Sequence, residues 1–176
     1  MSERRRIAYV DLAPNAGGSL HSLLLLIQAL DRDRYEPVVV LAAGQPLEAE
    51  FRALGVPVWT IAGRPGVNTP GRDGALVARA REGRVAGWLR QGRRRLAWLH
   101  GAGFVVRVLP AVWATAWVLE GLLRREQPAL VHLNDAVPVA RPGVVAAWRA
   151  RIPCLAHVRA FTPLNACDRW LARRVG

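Results

Sequence analysis

Lysine is absent from this sequence: all 25 basic residues are arginines, which face 13 acidic residues and give a net charge of +12. A complete preference for arginine is typical of the codon bias of a GC-rich genome, so the charge alone is weak evidence for nucleic-acid binding. The absence of lysine also excludes a Walker-type phosphate loop, because that loop needs a lysine to contact the β and γ phosphates.

Cysteine is scarce as well. Cys154 and Cys167 stand thirteen positions apart and outside any C-x-x-C pair, so their spacing predicts neither a zinc site nor a redox motif, and no metal is expected. The N-terminus, which reads MSERRR before a short apolar run, lacks the apolar central region of a secretory signal. We therefore expect a cytoplasmic protein, with a peripheral position at the inner face of the membrane as the other option.

Several familiar catalytic patterns are also missing. No Ser-His-Asp or paired-carboxylate spacing can be defended, so hydrolysis finds no support. The motif G-x-G-x-x-G does not occur where a dinucleotide fold requires it. The second predicted strand also does not end in an acidic residue, which such a fold uses to bind the ribose hydroxyls. The hydrophobic share of 52% and the charged share of 22% nevertheless predict an ordinary folded domain.

Short apolar runs bounded by turn residues alternate with segments of helical periodicity. After the first run, Leu20, Leu23 and Ile27 recur at the spacing of one helix face. The predicted strands are Ile7–Leu12, Pro37–Ala43, Val56–Ile61, Ala129–Asn134 and Cys154–Phe161. This alternation predicts an α/β fold: one Rossmann-like domain over residues 1–176, with a parallel sheet of five or more strands and helices on both faces.

Residues 62–125 break the alternation and are predicted to form a basic, tryptophan-containing helical insertion. Ten arginines and two acidic residues lie between Ala62 and Arg107, which gives this stretch a net charge of +8. The segment from Ala102 to Leu123 is long enough to cross a membrane. Because Arg107, Pro110 and Glu120 interrupt it, a core-packed or interfacial helix is the better prediction.

Three loops are expected to meet at one edge of the sheet, because ligands of open doubly wound sheets bind beyond the carboxyl ends of the strands. The candidate residues are Asn15, Gly17 and Gly18 after the first strand, Asn134 and Asp135 after the fourth, and His157 and Arg159 at the end of the fifth. The glycine pair precedes a helix, whose N–H groups and dipole suit a phosphate or a sugar hydroxyl. Two plainer interpretations stay open: a glycine turn that only reverses the chain, and a structural, hydrogen-bonded histidine.

The sequence resembles the N-terminal domain of family 4 glycosyltransferases, retaining enzymes with the GT-B fold of two Rossmann-like domains facing across a cleft. Four segments carry the resemblance, and they cover roughly residues 6–61 and 126–175. They are RIAYVDLAPNAGGSLHSLLLLIQAL, YEPVVVLAAGQPLEAEFRALGVPVWTI, QPALVHLND and IPCLAHVRAF.

The resemblance implies transfer of a sugar from a nucleotide-sugar, the co-substrate, to a glycan, lipid-linked or small-molecule acceptor, with no tightly bound cofactor. It places Gly17 and Gly18 near the donor phosphates and the acceptor, and His157, as the catalytic residue, beside the transferred sugar. Asn134, Asp135 and Arg159 would line the acceptor side. The family's C-terminal, donor-binding domain has no counterpart here, so we expect a chain that is inactive alone or completed by a separate polypeptide.

Two other functions remain open from the sequence. A non-catalytic basic α/β module would bind nucleic acid through the arginines of the insertion, with steep salt dependence. Those arginines are Arg90, Arg93, Arg94 and Arg95. A peripheral protein would place the same arginines on anionic lipid, with tryptophans as anchors. Of these two partners, nucleic acid is the less expected.

Overall fold

Five parallel strands form a single sheet in the computed structural model, which describes residues 4–13, 17–62, 89–158 and 164–175, with backbone alone for residues 89–107. The strands are β1 (Arg5–Asp11), β2 (Tyr35–Ala42), β3 (Val58–Ile61), β4 (Leu130–Leu133) and β5 (Cys154–Ala156). Their spatial order is β3-β2-β1-β4-β5. The predicted doubly wound parallel sheet is therefore confirmed.

Helices cover both faces of this sheet. They are α1 (Gly18–Gln28), α2 (Glu48–Ala53), α3 (Leu89–Glu126), α4 (Val137–Ala150) and α5 (Ala166–Ala172). Along β1 the side chains alternate, so Tyr9 joins a core with α1 and α2, whereas Ala8 and Val10 join the core formed by α3, α4 and α5. The chain thus buries two apolar layers, one on each side of a continuous apolar sheet.

The helix α4 begins earlier than the sequence predicts. The apolar periodicity indicates a start at Val144, but the helix already includes Val137, Pro138 and Pro142. Pro138 lies in the first turn, where its missing N–H would have no helical partner in any case. Pro142 does remove one helical hydrogen bond, and it is tolerated within a completely buried stretch of the helix.

Only the C-terminal part of α3 can be described with its side chains. There Val112, Ala116, Leu119 and Leu123 are buried at helical spacing against the sheet. The end of α3 is fixed to the start of β1, because the Arg6 guanidinium donates to the Glu126 carbonyl at 2.9 Å. Within the described residues, no helix combines the length and the apolar character needed to cross a bilayer.

Glu120 joins α3 to α4 through two arginines. Its carboxylate accepts hydrogen bonds from Arg149 on α4 and from Arg124 one turn along α3. These bonds, that from Arg149 first, hold the pKa of Glu120 below its ordinary value of 4.5. The stabilisation is complete above that ordinary value and is lost as the pH falls through the lowered pKa of the folded state.

We therefore expect Glu120→Gln to reduce the pH dependence of stability. Between pH 6 and about pH 3 the free energy of unfolding should fall further in the unsubstituted protein than in this variant, because the variant has no carboxylate to protonate. Urea unfolding at both pH values measures the two falls. Equal falls in both proteins would contradict the prediction.

Candidate functional site

The carboxyl ends of β1, β4 and β5 lie side by side, because β4 pairs with β1 on one side and with β5 on the other. The strand order reverses between β1 and β4, since β2 lies on the far side of β1. Crevices for ligands in open α/β sheets form at such a reversal. The three loops that the sequence singles out therefore meet at one edge.

Asn134 ties the loop after β4 to β1 and α1. Its side-chain amide donates to the Asp11 carboxylate at 2.7 Å and to the Ser19 carbonyl at 3.0 Å, and its backbone N–H donates to Val10 at 3.0 Å. The residue is completely buried. Asn134 was predicted to line the acceptor side, and the structure places its amide inside the fold, where it joins the end of β4 to β1 and α1.

Gly17 and Gly18 form the N-terminus of α1. Gly17 is the N-cap and, as a glycine, offers no side chain to cap the helix; no acidic residue lies in the first turn. Neither glycine has a positive φ, and a Cβ at Gly18 would meet nothing within 4 Å. Among the described residues, neither a positive φ nor crowding at Gly18 accounts for glycine at these positions.

His157 directly follows β5 and is exposed at this edge. Its backbone N–H donates to the Leu133 carbonyl at 2.8 Å and so continues the pairing of β4 with β5. Its ring stacks on His132 at 5.7 Å, and His132 in turn contacts the ring of Tyr9 at 5.2 Å. Burial raises the pKa of Tyr9, so its phenol is neutral at neutral pH.

The remaining predicted residues fall into two groups. Asp135 follows Asn134 and is half-buried. Asn15 and Arg159 lie outside the described residues. Within the described part of the chain, no three His, Cys, Asp or Glu side chains cluster in a way that could hold a metal ion.

Sequence reasoning missed three residues that shape this edge: Asp11, Ser19 and His132. Asp11 ends β1, is buried and accepts from both the Asn134 side-chain amide and the Ala13 N–H. A signal for His132 was present, because His132 and Asn134 alternate on β4 as Tyr9 and Asp11 do on β1. The register pairs Tyr9 with His132.

Comparison with known proteins gives matches in structure alone. Neither a protein-family model nor a curated protein matches the sequence. Among solved structures, MurG of Acinetobacter baumannii is similar over 97% of this chain, with a TM-score of 0.59 and 13% identity. A glycosyltransferase from Rickettsia africae is similar over 96%, with a TM-score of 0.58 and 9% identity.

A further similar structure is Anabaena HepE in complex with UDP and glucose, with a TM-score of 0.51, 16% identity and 97% of this chain covered. The chain spans 39% of MurG, 33% of the Rickettsia enzyme and 35% of HepE. At such low identity the similarity establishes architecture. The chain therefore has the α/β fold of one half of a GT-B glycosyltransferase.

Proposed function

We propose that this chain is the N-terminal, acceptor-side domain of a retaining glycosyltransferase that moves a sugar from a nucleotide-sugar to a glycan, a lipid-linked acceptor or a small molecule. The observation that carries the proposal is the edge where β1, β4 and β5 end. There Asn134 holds the glycine N-terminus of α1 through the Ser19 carbonyl, and His132 on β4 stacks on the exposed His157. The UDP and glucose bound to the similar HepE fit a ligand of this kind.

Each element of this edge has a role in the proposed reaction. In glycosyl transfer, positive charge gathers on the sugar while negative charge builds on the departing diphosphate. The N–H groups and dipole of α1 stabilise that negative charge. His157, exposed and backed by His132, contacts the transferred sugar, while Asp135 and Arg159 face the acceptor. A donor-binding domain outside these 176 residues supplies the other wall of the crevice.

The first test is nucleoside diphosphate release from a panel of UDP-, GDP- and dTDP-sugars. The chain alone is expected to turn over at least about a hundredfold more slowly than the chain supplied with a donor-binding α/β domain, because it contributes only one set of contacts to the leaving group. Full turnover by the chain alone would contradict the need for a second domain. Failure of the completed protein to release any diphosphate would contradict the transferase itself.

The second test is Gly18→Val in the completed protein. The side chain has room within the described fold, so the free energy of unfolding should change by less than about 1 kcal/mol. It would occupy the space in which a phosphate or sugar approaches the helix N-terminus, and kcat/KM should fall at least about tenfold. Steady-state kinetics and urea unfolding measure the two effects.

Gly121 provides a matched control for this test. It is a helical glycine on α3, away from the edge, and a Cβ there also meets nothing within 4 Å. Gly121→Val should leave kcat/KM unchanged. Equal activity in the Gly18→Val and Gly121→Val variants would show that no ligand approaches α1.

A further inference from the structure

Tryptophans project outward from three helices on the same face of the sheet. Trp113 and Trp117 on α3 are 43% and 73% exposed, and Trp148 on α4 and Trp170 on α5 are each 45% exposed. Large aromatic side chains that remain accessible on a folded domain mark an interaction surface when they are contiguous. These four residues are called the tryptophan surface below.

One ring contact and a shared groove join three of these tryptophans into one patch. Trp148 and Trp170 meet edge to face at 5.8 Å, and the Arg174 guanidinium lies over both rings, at 5.0 and 3.4 Å. Arg149 lies over the ring of Trp113 at 5.6 Å. Trp113 and Trp148 both line a groove of about 620 Å³, and three arginines complete much of its lining. They are Arg149, Arg151 and Arg174.

Arginines outnumber acidic residues in the part of the sequence that carries this patch. Residues 89–176 contain fourteen arginines and four acidic residues. Three of the four carboxylates form ion pairs with arginines, namely Glu120, Glu126 and Asp168. The fourth, Asp135, lies at the carboxyl edge of the sheet. Of the three groove arginines, Arg149 pairs with Glu120.

From this combination we infer that the tryptophan surface docks on an anionic lipid bilayer. Tryptophan prefers the boundary between headgroups and acyl chains, and arginines beside it reach the lipid phosphates. Trp117 and Val118, which is 54% exposed, add apolar area that a bilayer buries and that a nucleic-acid backbone would leave in water.

Co-sedimentation with vesicles tests the inference on the full chain. The protein should sediment with phosphatidylcholine vesicles that contain about one third phosphatidylglycerol, and much less with phosphatidylcholine alone. Arg151→Asn removes one charge, and asparagine tolerates the left-handed backbone at this position, where φ is 59°. The partition coefficient should fall about fivefold, which corresponds to about 1 kcal/mol per basic residue. Trp117→Ala should lower it by at least about as much, through the loss of apolar area.

Matched controls lie on the opposite side of the sheet and in the turn before β2. Leu25→Ala removes an exposed apolar side chain of α1, and Arg34→Asn removes an exposed charge; neither should change partitioning. Absence of vesicle binding, or equal losses in controls and test variants, would overturn the inference. A third result would also overturn it: binding to single-stranded DNA that is stronger than binding to vesicles at the same salt concentration, and that the same variants abolish. The result does not depend on the proposed function, because no sugar-nucleotide enters the assay.

Discussion

Replacing Asp168 by alanine is expected to lower the free energy of unfolding by about 3–5 kcal/mol. Asp168 on α5 accepts two hydrogen bonds from the Arg141 guanidinium on α4, at 2.6 and 3.1 Å, and the two side chains are only 1% and 8% exposed. Removing one member of a buried ion pair leaves the charge of the other inside the protein without its main compensation, which costs more than the pair itself contributes. Urea unfolding at neutral pH measures the loss.

A second role of Asp168 must be separated from this one. It also completes a capping box at the N-terminus of α5: its backbone N–H donates to the Asn165 side chain, and its carboxylate accepts from the Asn165 N–H. Asn165→Ala disrupts the cap and keeps the ion pair, so it should cost about 1 kcal/mol. If Asp168→Ala costs no more than Asn165→Ala, the ion pair contributes nothing and the prediction is wrong.

Replacing both members of the pair should cost much less than replacing one. Arg141→Met combined with Asp168→Leu fills the same space with apolar side chains and leaves no buried charge. We expect this double variant to recover at least about 2 kcal/mol relative to Asp168→Ala alone. The loop that begins at His157 leads into α5. The ion pair between Arg141 and Asp168 therefore also fixes the far end of that loop.

The order of strands and helices could be predicted because each carries its own local signal. The run Pro37–Ala43 is apolar on both faces, as a central parallel strand requires, and β2 occupies nearly the same residues. The meeting of the three loops followed from topology, since parallel strands all end at the same edge. Both inferences need only periodicity and strand direction, which a single sequence displays.

The roles of individual polar residues could not be predicted in the same way. Asn134 contacts Asp11 across 123 positions of sequence, and Arg141 contacts Asp168 across 27. Such pairings depend on how the elements pack, and no spacing along the chain encodes them. The sequence therefore located the edge of the sheet but could not tell that Asn134 points into the protein while His157 remains exposed.

The outward direction of the tryptophan side chains could not be predicted from the sequence either. Helix α3 is apolar around much of its circumference between Val108 and Leu123, so periodicity gives no clear buried face. Packing resolves the ambiguity, since the smaller Val112 and Ala116 contact the sheet and the adjacent Trp113 and Trp117 face away from it.

Asn134→Ala is expected to lower the free energy of unfolding by about 2–3 kcal/mol, as measured by urea unfolding at neutral pH. The substitution removes a charge-assisted hydrogen bond to the buried Asp11 carboxylate and the donor to the Ser19 carbonyl. The Asp11 carboxylate lies away from water, so a lost bond to it is not simply replaced by solvent. The same change should release the first turn of α1 from β4 and thereby weaken any ligand held at Gly17 and Gly18.

The cause of that loss can be identified by a second substitution at Asp11. If the main cost is a buried carboxylate with too few donors, Asp11→Asn in the Asn134→Ala background removes the charge and should recover at least about 1 kcal/mol. The same substitution in the unmodified protein should destabilise it, because two neutral amides replace a charge-assisted bond. Additive losses in the double variant would instead show that Asn134 acts through Ser19 and the position of α1 alone. The charge of Asp11 would then have no part in holding the edge together.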